Sequence, residues 1–215
     1  VSHESDWCTL KDAQLQILPY QDEMEMATAS SLSPSGMTLA GKHGTGVISI
    51  ASTSSEGLAA LPTQWGFAET AAAQSGRTVD RRDWRVMMNW HIAETEEQAR
   101  NEAVDGLHRW HNEYNVGVLS RPGAKHYDDK WKLLDTMVDS GAAVVGTPDD
   151  LVKSILKLQE VTGGFGCAVG FAHDWANHDA TRRSWEMIGR YVIPEINGQL
   201  RGVRASAAFL TANQE

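Results

Sequence analysis

Cysteine is scarce: Cys8 and Cys167 are the two in 215 residues, too few and too far apart in sequence to form a disulfide framework or a thiolate metal cluster. Basic charge is also in deficit, with 19 Lys and Arg against 28 Asp and Glu and a formal net charge of -9. Nucleic acid and anionic membrane are poor partners for such a chain, because both demand a basic face. No apolar run approaches the roughly 20 residues that span a bilayer, and no basic segment followed by an apolar one opens the chain. These absences point to a cytoplasmic protein that meets a small molecule or another protein. The first strand candidate is not followed by a G-x-G-x-x-G turn, which argues against an open dinucleotide-binding sheet. What remains, 41% hydrophobic and 22% charged residues, suits one globular domain over residues 1–215. The chain opens on Val1 within ordinary structured sequence, so residues upstream are expected.

Strand and helix signals alternate along the chain. Residues 1–22 read as a β-hairpin appendage, with its turn at Lys11-Asp12 and its end at Pro19. Residues 23–197 then give four strand-helix units. The first is a strand at 24–29, a small-residue loop at 30–36 and a helix from Met37 to His43; the second is the apolar strand Val47-Ile48-Ser49-Ile50-Ala51 and a helix at 58–75. The third strand runs from Trp84 to Ala93, and Thr95-x-x-Gln98 reads as a capping box opening a helix. Residues 117–130, with Pro122 and Gly123, read as an inserted surface loop. Thr147-Pro148-Asp149-Asp150 opens the next helix with a capping hydroxyl, a proline at the first helical position and carboxylates at the positive dipole end. A fourth strand, 167–172, leads to a last helix with Trp185, Ile188, Val192 and Ile196 on one face. Residues 198–215 form a tail without a clear pattern. Apolar strands separated by helices imply an α/β fold with a parallel sheet.

The run Ala29-Ser30-Ser31-Leu32-Ser33-Pro34-Ser35-Gly36-Met37, then Ala40-Gly41-Lys42-His43-Gly44, resembles the fifth-strand and fifth-helix region of the bacterial luciferase-like flavin monooxygenases. His91-Ile92-Ala93-Glu94-Thr95, Gly146 to Asp150, Gly163 to Gly166, Ala172 to Ala176 and Arg190 to Pro194 resemble the later part of that family in the same order. The resemblance implies a (β/α)8 TIM barrel, of which this chain covers about strands five to eight plus a hairpin insertion. Nothing corresponds to strands one to four.

The same resemblance implies reduced FMN as cofactor, supplied by a separate flavin reductase, and dioxygen activated as a flavin peroxide that oxygenates a small organic substrate. A homodimer is also implied. Two other readings stay open: a deazaflavin-dependent hydride transfer on the same barrel, and a non-catalytic half-barrel that pairs with another chain. For the FMN phosphate the candidates are Ser31, Ser33, Ser35, Gly36 and Met37, where hydroxyls meet a helix N-terminus with free amides; the plainer reading is a helix-capping turn. His91, His173 and Trp175 follow strands and so belong at the rim where barrel sites gather. No catalytic residue is assigned. His108 with His111, and His173 with His178, lack the three or four converging ligands of a zinc site, so no metal is expected.

Overall fold

The computed structural model describes residues 1–21, 24–121 and 123–212. Asp22 and Glu23 at the expected hairpin-to-strand boundary, Pro122 of the expected loop and the last three residues of the tail lie outside them. Two short strands, β1 (His3–Glu4) and β2 (Thr9–Leu10), pair antiparallel at the start. The connection is held by Ser5, whose hydroxyl accepts from the Cys8 backbone N–H at 3.3 Å. The hairpin therefore turns earlier than the sequence suggested. Asp12 does adopt a turn conformation, with φ of 51°, but it follows the hairpin and bonds back to Ser2.

Every other strand pairing is parallel. β3 (Ala27–Ser30) pairs with β4 (Gly46–Ser49), β4 with the first three residues of β5 (Trp84–Ile92), and the middle of β5 with β7 (Cys167–Phe171). A short β6 (Val144–Gly146) pairs with the last three residues of β5. Helix α1 (Ser35–His43) joins β3 to β4, α2 (Ser55–Gln74) joins β4 to β5, and α5 (Pro148–Thr162) leads into β7. The result is a run of strand-helix units in an open arc. Among the described residues β3 and β7 each keep one unpaired edge, so no closed barrel is seen.

Side-chain alternation along the strands explains the core. Val47, Trp84, Val86, Met88, Trp90 and Ile92 project to one face and pack on Met37 and Ala40 of α1, Leu61, Trp65 and Ala68 of α2, and Leu151, Ile155 and Leu158 of α5. Trp84 is fully buried, stacks on Trp65 at 5.1 Å and donates from Nε1 to Ser49 Oγ at 2.9 Å. The Arg81 guanidinium lies over both indoles and caps the carbonyls of Thr162 and Gly164. This pins the start of β5 to the end of α5.

The segment between β5 and α5 is more structured than its composition suggested. Helix α3 (Glu96–Arg109) continues as a π-helical stretch over Trp110–Val118, and α4 (Lys130–Asp139) follows. Ala99, Ala103, Val104, Leu107, Leu133, Leu134 and Met137 build a second core with Val145 and Trp175. Of the expected loop, residues 119–121 and 123–129 lie outside helices. Thr95 caps α3 through the Gln98 backbone N–H, but the Gln98 side chain turns to Glu102 instead of closing the box. At α5 it is Asp150 that accepts both the Thr147 N–H and hydroxyl.

The last expected helix divides into α6 (His178–Met187), a π-helical turn at Ile188–Val192 and α7 (Ile193–Ile196). The tail contains helix α8 (Arg201–Ala212) with no buried residue. Its four alanines and two arginines favour helix, and Val203, Phe209 and Leu210 stay exposed on it. No helix among the described residues is long and apolar enough to cross a membrane.

Candidate functional site

The carboxyl ends of β3, β4, β5 and β7 point to the same side of the sheet, where parallel α/β sheets gather ligand-binding loops. The loop at residues 31–34 leaves β3 there and feeds directly into α1. Proline occupies the N-cap position and no side chain caps the helix. The Thr38 N–H returns to the Pro34 carbonyl at 2.8 Å, whereas the N–H groups of Ser35, Gly36 and Met37 have no partner among the described residues. Three amides at the positive end of the helix dipole therefore lack partners; Met37 is itself fully buried, while Ser35 and Gly36 are open to an anion.

The hydroxyls around this helix start differ in role. Ser31, Ser33 and Ser35 are all exposed, and Ser33 Oγ and Ser35 Oγ share a hydrogen bond of 2.7 Å. Ser30, at the end of β3, is 1% exposed and its hydroxyl has no partner among the described residues. Gln64 of α2 reaches over to donate to the Leu32 carbonyl at 3.1 Å, tying the loop to the second helix.

Gly36 has a packing role: a Cβ there would lie 2.6 Å from the Ala29 carbonyl oxygen and 2.7 Å from Ser30 Cα. Its missing side chain lets α1 start against β3. Met37 is fully buried in the core, so its side chain takes no part in the cradle.

At the other side of the arc, β7 leaves the sheet through residues 171–175. Phe171, His173 and Trp175 stack in parallel, at 4.6 Å and 5° for the first pair and 4.4 Å and 2° for the second. Two rings at such spacing must occupy opposite faces of the imidazole. Trp110 stands tilted against the stack, with its centroid 4.6 Å from His173. Trp175 is 3% exposed and forms the foundation, while Phe171 remains open to solvent. Gly106 of α3 makes room for the exit, since a Cβ there would meet the Trp175 carbonyl oxygen at 2.2 Å. Burial depresses the His173 pKa to about 4, against a smaller opposing pull from Asp174.

His91 lies near the end of β5 and is 4% exposed. Its Nε2 meets Glu102 Oε2 at 2.9 Å, and the other oxygen of that carboxylate accepts from Gln98 Nε2 at 2.9 Å and Arg183 Nη2 at 2.7 Å. Burial opposes the Glu102 charge, but the hydrogen bonds from Gln98 and His91 and the Arg183 charge outweigh it, holding the carboxyl below its ordinary range. A charged cleft of about 210 Å³ opens alongside, between Glu94, Glu102, Arg183, Glu186 and Arg190.

Of the residues singled out from sequence, the five around 31–37 fall in one cradle, and His173 and Trp175 in one stack. His91 sits apart from that stack, sealed against α3. His108 Nε2 and His111 Nε2 bond to the carbonyls of Tyr127 and Lys125 and fasten the 119–129 loop. Sequence reasoning missed Asn89, Phe171, Trp110, Ser30 and Glu102. Asn89 carried a usable signal, an amide between Met88 and Trp90 in a strand that also holds Arg85 and His91; Trp110 and Glu102 depend on contacts distant in sequence.

The architecture, parallel strands in an open arc alternating with helices, defines a segment of a (β/α)8 barrel. Comparison with known proteins gives the class: residues 1–163 match the luciferase-like monooxygenase family, and the chain belongs to it. Limonene 1,2-monooxygenase of Rhodococcus erythropolis is 41% identical over 202 residues, covering 93% of this chain and 51% of that protein. The 4-hydroxyprotoasukamycin monooxygenase of Streptomyces nodosus subsp. asukaensis is 38% identical over 213 residues, covering 98% and 57%. The oxygenating constituent of 3,6-diketocamphane monooxygenase from Pseudomonas putida, a type II Baeyer-Villiger enzyme solved with FMN, superposes with a TM-score of 0.66 at 25% identity, over 89% of this chain and 57% of that one. The chain thus spans about half the length of the curated relatives it matches.

Proposed function

We propose that this chain belongs to a monooxygenase that uses reduced FMN and dioxygen to oxygenate a small organic substrate. The observation that carries the reading is the uncapped start of α1, where the open amides of Ser35 and Gly36 face the same loop as the hydroxyls of Ser31, Ser33 and Ser35. A dianionic phosphate fits that donor set, which holds no carboxylate to repel it. The matching family and a structural relative solved with FMN favour flavin as the molecule attached to the phosphate.

In this reading Ser31, Ser33, Ser35 and the amides of Ser35 and Gly36 bind the phosphate, while Gly36 and Gln64 keep the cradle in place against β3 and α2. Bound reduced FMN supplies the electrons that activate dioxygen. The residues of β5 and β7 that face away from α1, α2 and α5, among them Met87, Val169 and Phe171, give the reacting region an apolar wall that excludes water. His173 is uncharged at neutral pH, so it serves that wall as a hydrogen-bonding group and not as a cation. Residues 1–215 act as one domain, made of the hairpin insertion 1–22, the four strand-helix units of 23–197 and the tail 198–215. The holoenzyme is a cytoplasmic homodimer fed by a separate flavin reductase.

Titration of the protein as encoded with FMN, followed by flavin fluorescence, tests the reading. Micromolar or tighter binding, weakened in Ser33→Ala and Ser35→Ala by roughly 1–3 kcal/mol each as charge-assisted hydrogen bonds are lost, is the expected result. Preference for a deazaflavin, with hydride transfer under anaerobic conditions, would replace the oxygenase reading. Failure to bind either cofactor would refute the enzyme.

A further inference from the structure

The Phe171, His173 and Trp175 stack leaves the imidazole one way to act. Both its faces are covered, so the ring can engage a ligand only through its edge. One edge nitrogen is committed: Nε2 lies 2.8 Å from Asn89 Oδ1. The Asn89 amide nitrogen in turn lies 2.9 Å from the Ala142 carbonyl and 3.5 Å from that of Thr53. Carbonyl oxygens only accept, so the amide nitrogen must face them and Oδ1 must face the histidine. The proton of the neutral ring is consequently on Nε2, and Nδ1 holds a bare lone pair. That lone pair has no partner among the described residues, and it is not among the buried polar atoms left unsatisfied. It is therefore open to a ligand.

The structure assigns His173 as an acceptor, through Nδ1, for an N–H or O–H donor of the molecule bound at the carboxyl ends of β5 and β7, with Asn89 as the positioning residue that fixes its tautomer. The assignment rests on the proposed flavin and organic-substrate site, because that site supplies the donor. Two sources share the chemistry: the flavin, with its ring N–H and ribityl hydroxyls, and a hydroxyl-bearing organic substrate. Asn89 and Phe171 are register partners across β5 and β7, so the positioning amide and the open end of the stack stand side by side. An apolar residue at 173 would retain the stack and lose the acceptor.

The tautomer is readable without any ligand. Histidine nitrogen-15 NMR on the protein as encoded, with the His173 signals assigned by their loss in His173→Phe, should show a protonated Nε2 and an unprotonated Nδ1. Asn89→Leu, which removes the acceptor oxygen, should mix the two tautomers. Addition of FMN, or of cyclohexanol to the FMN-loaded protein, should shift Nδ1; the probe that does so identifies the donor's source. His173→Phe should weaken binding of that probe by roughly three- to tenfold, the loss expected for one neutral hydrogen bond. FMN affinity measured in parallel separates the two claims: no FMN binding with the tautomer pattern intact counts against the cofactor, not against the assignment of Asn89. A protonated Nδ1 in the wild type overturns the assignment, as does an Nδ1 signal that neither probe moves.

Discussion

Gly36→Ala sets two physical effects against each other. In an open helix, alanine should stabilise by about 0.5–1 kcal/mol through backbone entropy. At position 36 the new methyl would instead lie 2.6 Å from the Ala29 carbonyl oxygen and 2.7 Å from Ser30 Cα. Both are backbone atoms of a paired strand, so no side chain can swing away. Restoring ordinary contact near 3.4 Å requires about 0.8 Å of separation between α1 and β3. Overpacking of this kind costs roughly 1–3 kcal/mol, which outweighs the propensity gain and leaves a net loss of about 1–2 kcal/mol. For a protein of this size the melting temperature should fall by roughly 2–8 °C.

The internal control is Gly66→Ala on α2, where nothing lies within 4 Å of the added Cβ; there the propensity term acts alone and the melting temperature should rise. Calorimetry or circular dichroism on the two variants reads the difference, and FMN titration reads the cradle, whose displacement should weaken binding by roughly tenfold. If Gly36→Ala melted at or above the wild type with unchanged FMN affinity, the account of why α1 sits where it does would be wrong.

Three further outcomes are expected. Trp84→Ala should cost roughly 3–5 kcal/mol in urea unfolding, because it empties a fully buried site and leaves Arg81 and Ser49 without their indole partner. His173 has a lowered pKa in the folded state, so below the ordinary value of 6.5 the unfolded chain binds a proton that the folded one refuses; stability should fall as pH drops from about 6.5 toward about 4. His173→Phe should flatten that segment of the stability-pH profile. Glu102→Ala should destabilise by roughly 1–3 kcal/mol, since it leaves the buried His91 and the Arg183 guanidinium unpaired; an unchanged unfolding midpoint would count against that network.

How much of this was legible in the sequence depended on whether the cause was local. The strand at Val47 and the helix opened by Thr147-Pro148 carry their signals within a few residues, and both form where expected. Helix α4 was hidden by the Pro122-Gly123 neighbourhood, although Asp129 caps it and Leu133, Leu134 and Met137 mark its buried face. Strand β6 is three residues long and owes its conformation to pairing with β5. The residues proposed to hold the phosphate could be singled out because their hydroxyls and the helix start are consecutive. The reason for Gly36 could not, as it lies in the distance to β3. His173 was visible as a rim residue, but its neutral state depends on burial, and its tautomer on Asn89, 84 residues earlier.

The most direct test of the central claim is a crystal structure of the protein as encoded, bound to FMN. The account predicts the FMN phosphate against the N–H groups of Ser35 and Gly36, within hydrogen-bond reach of the Ser33 or Ser35 hydroxyl. A phosphate bound elsewhere in the molecule, with the start of α1 left to solvent, would contradict it.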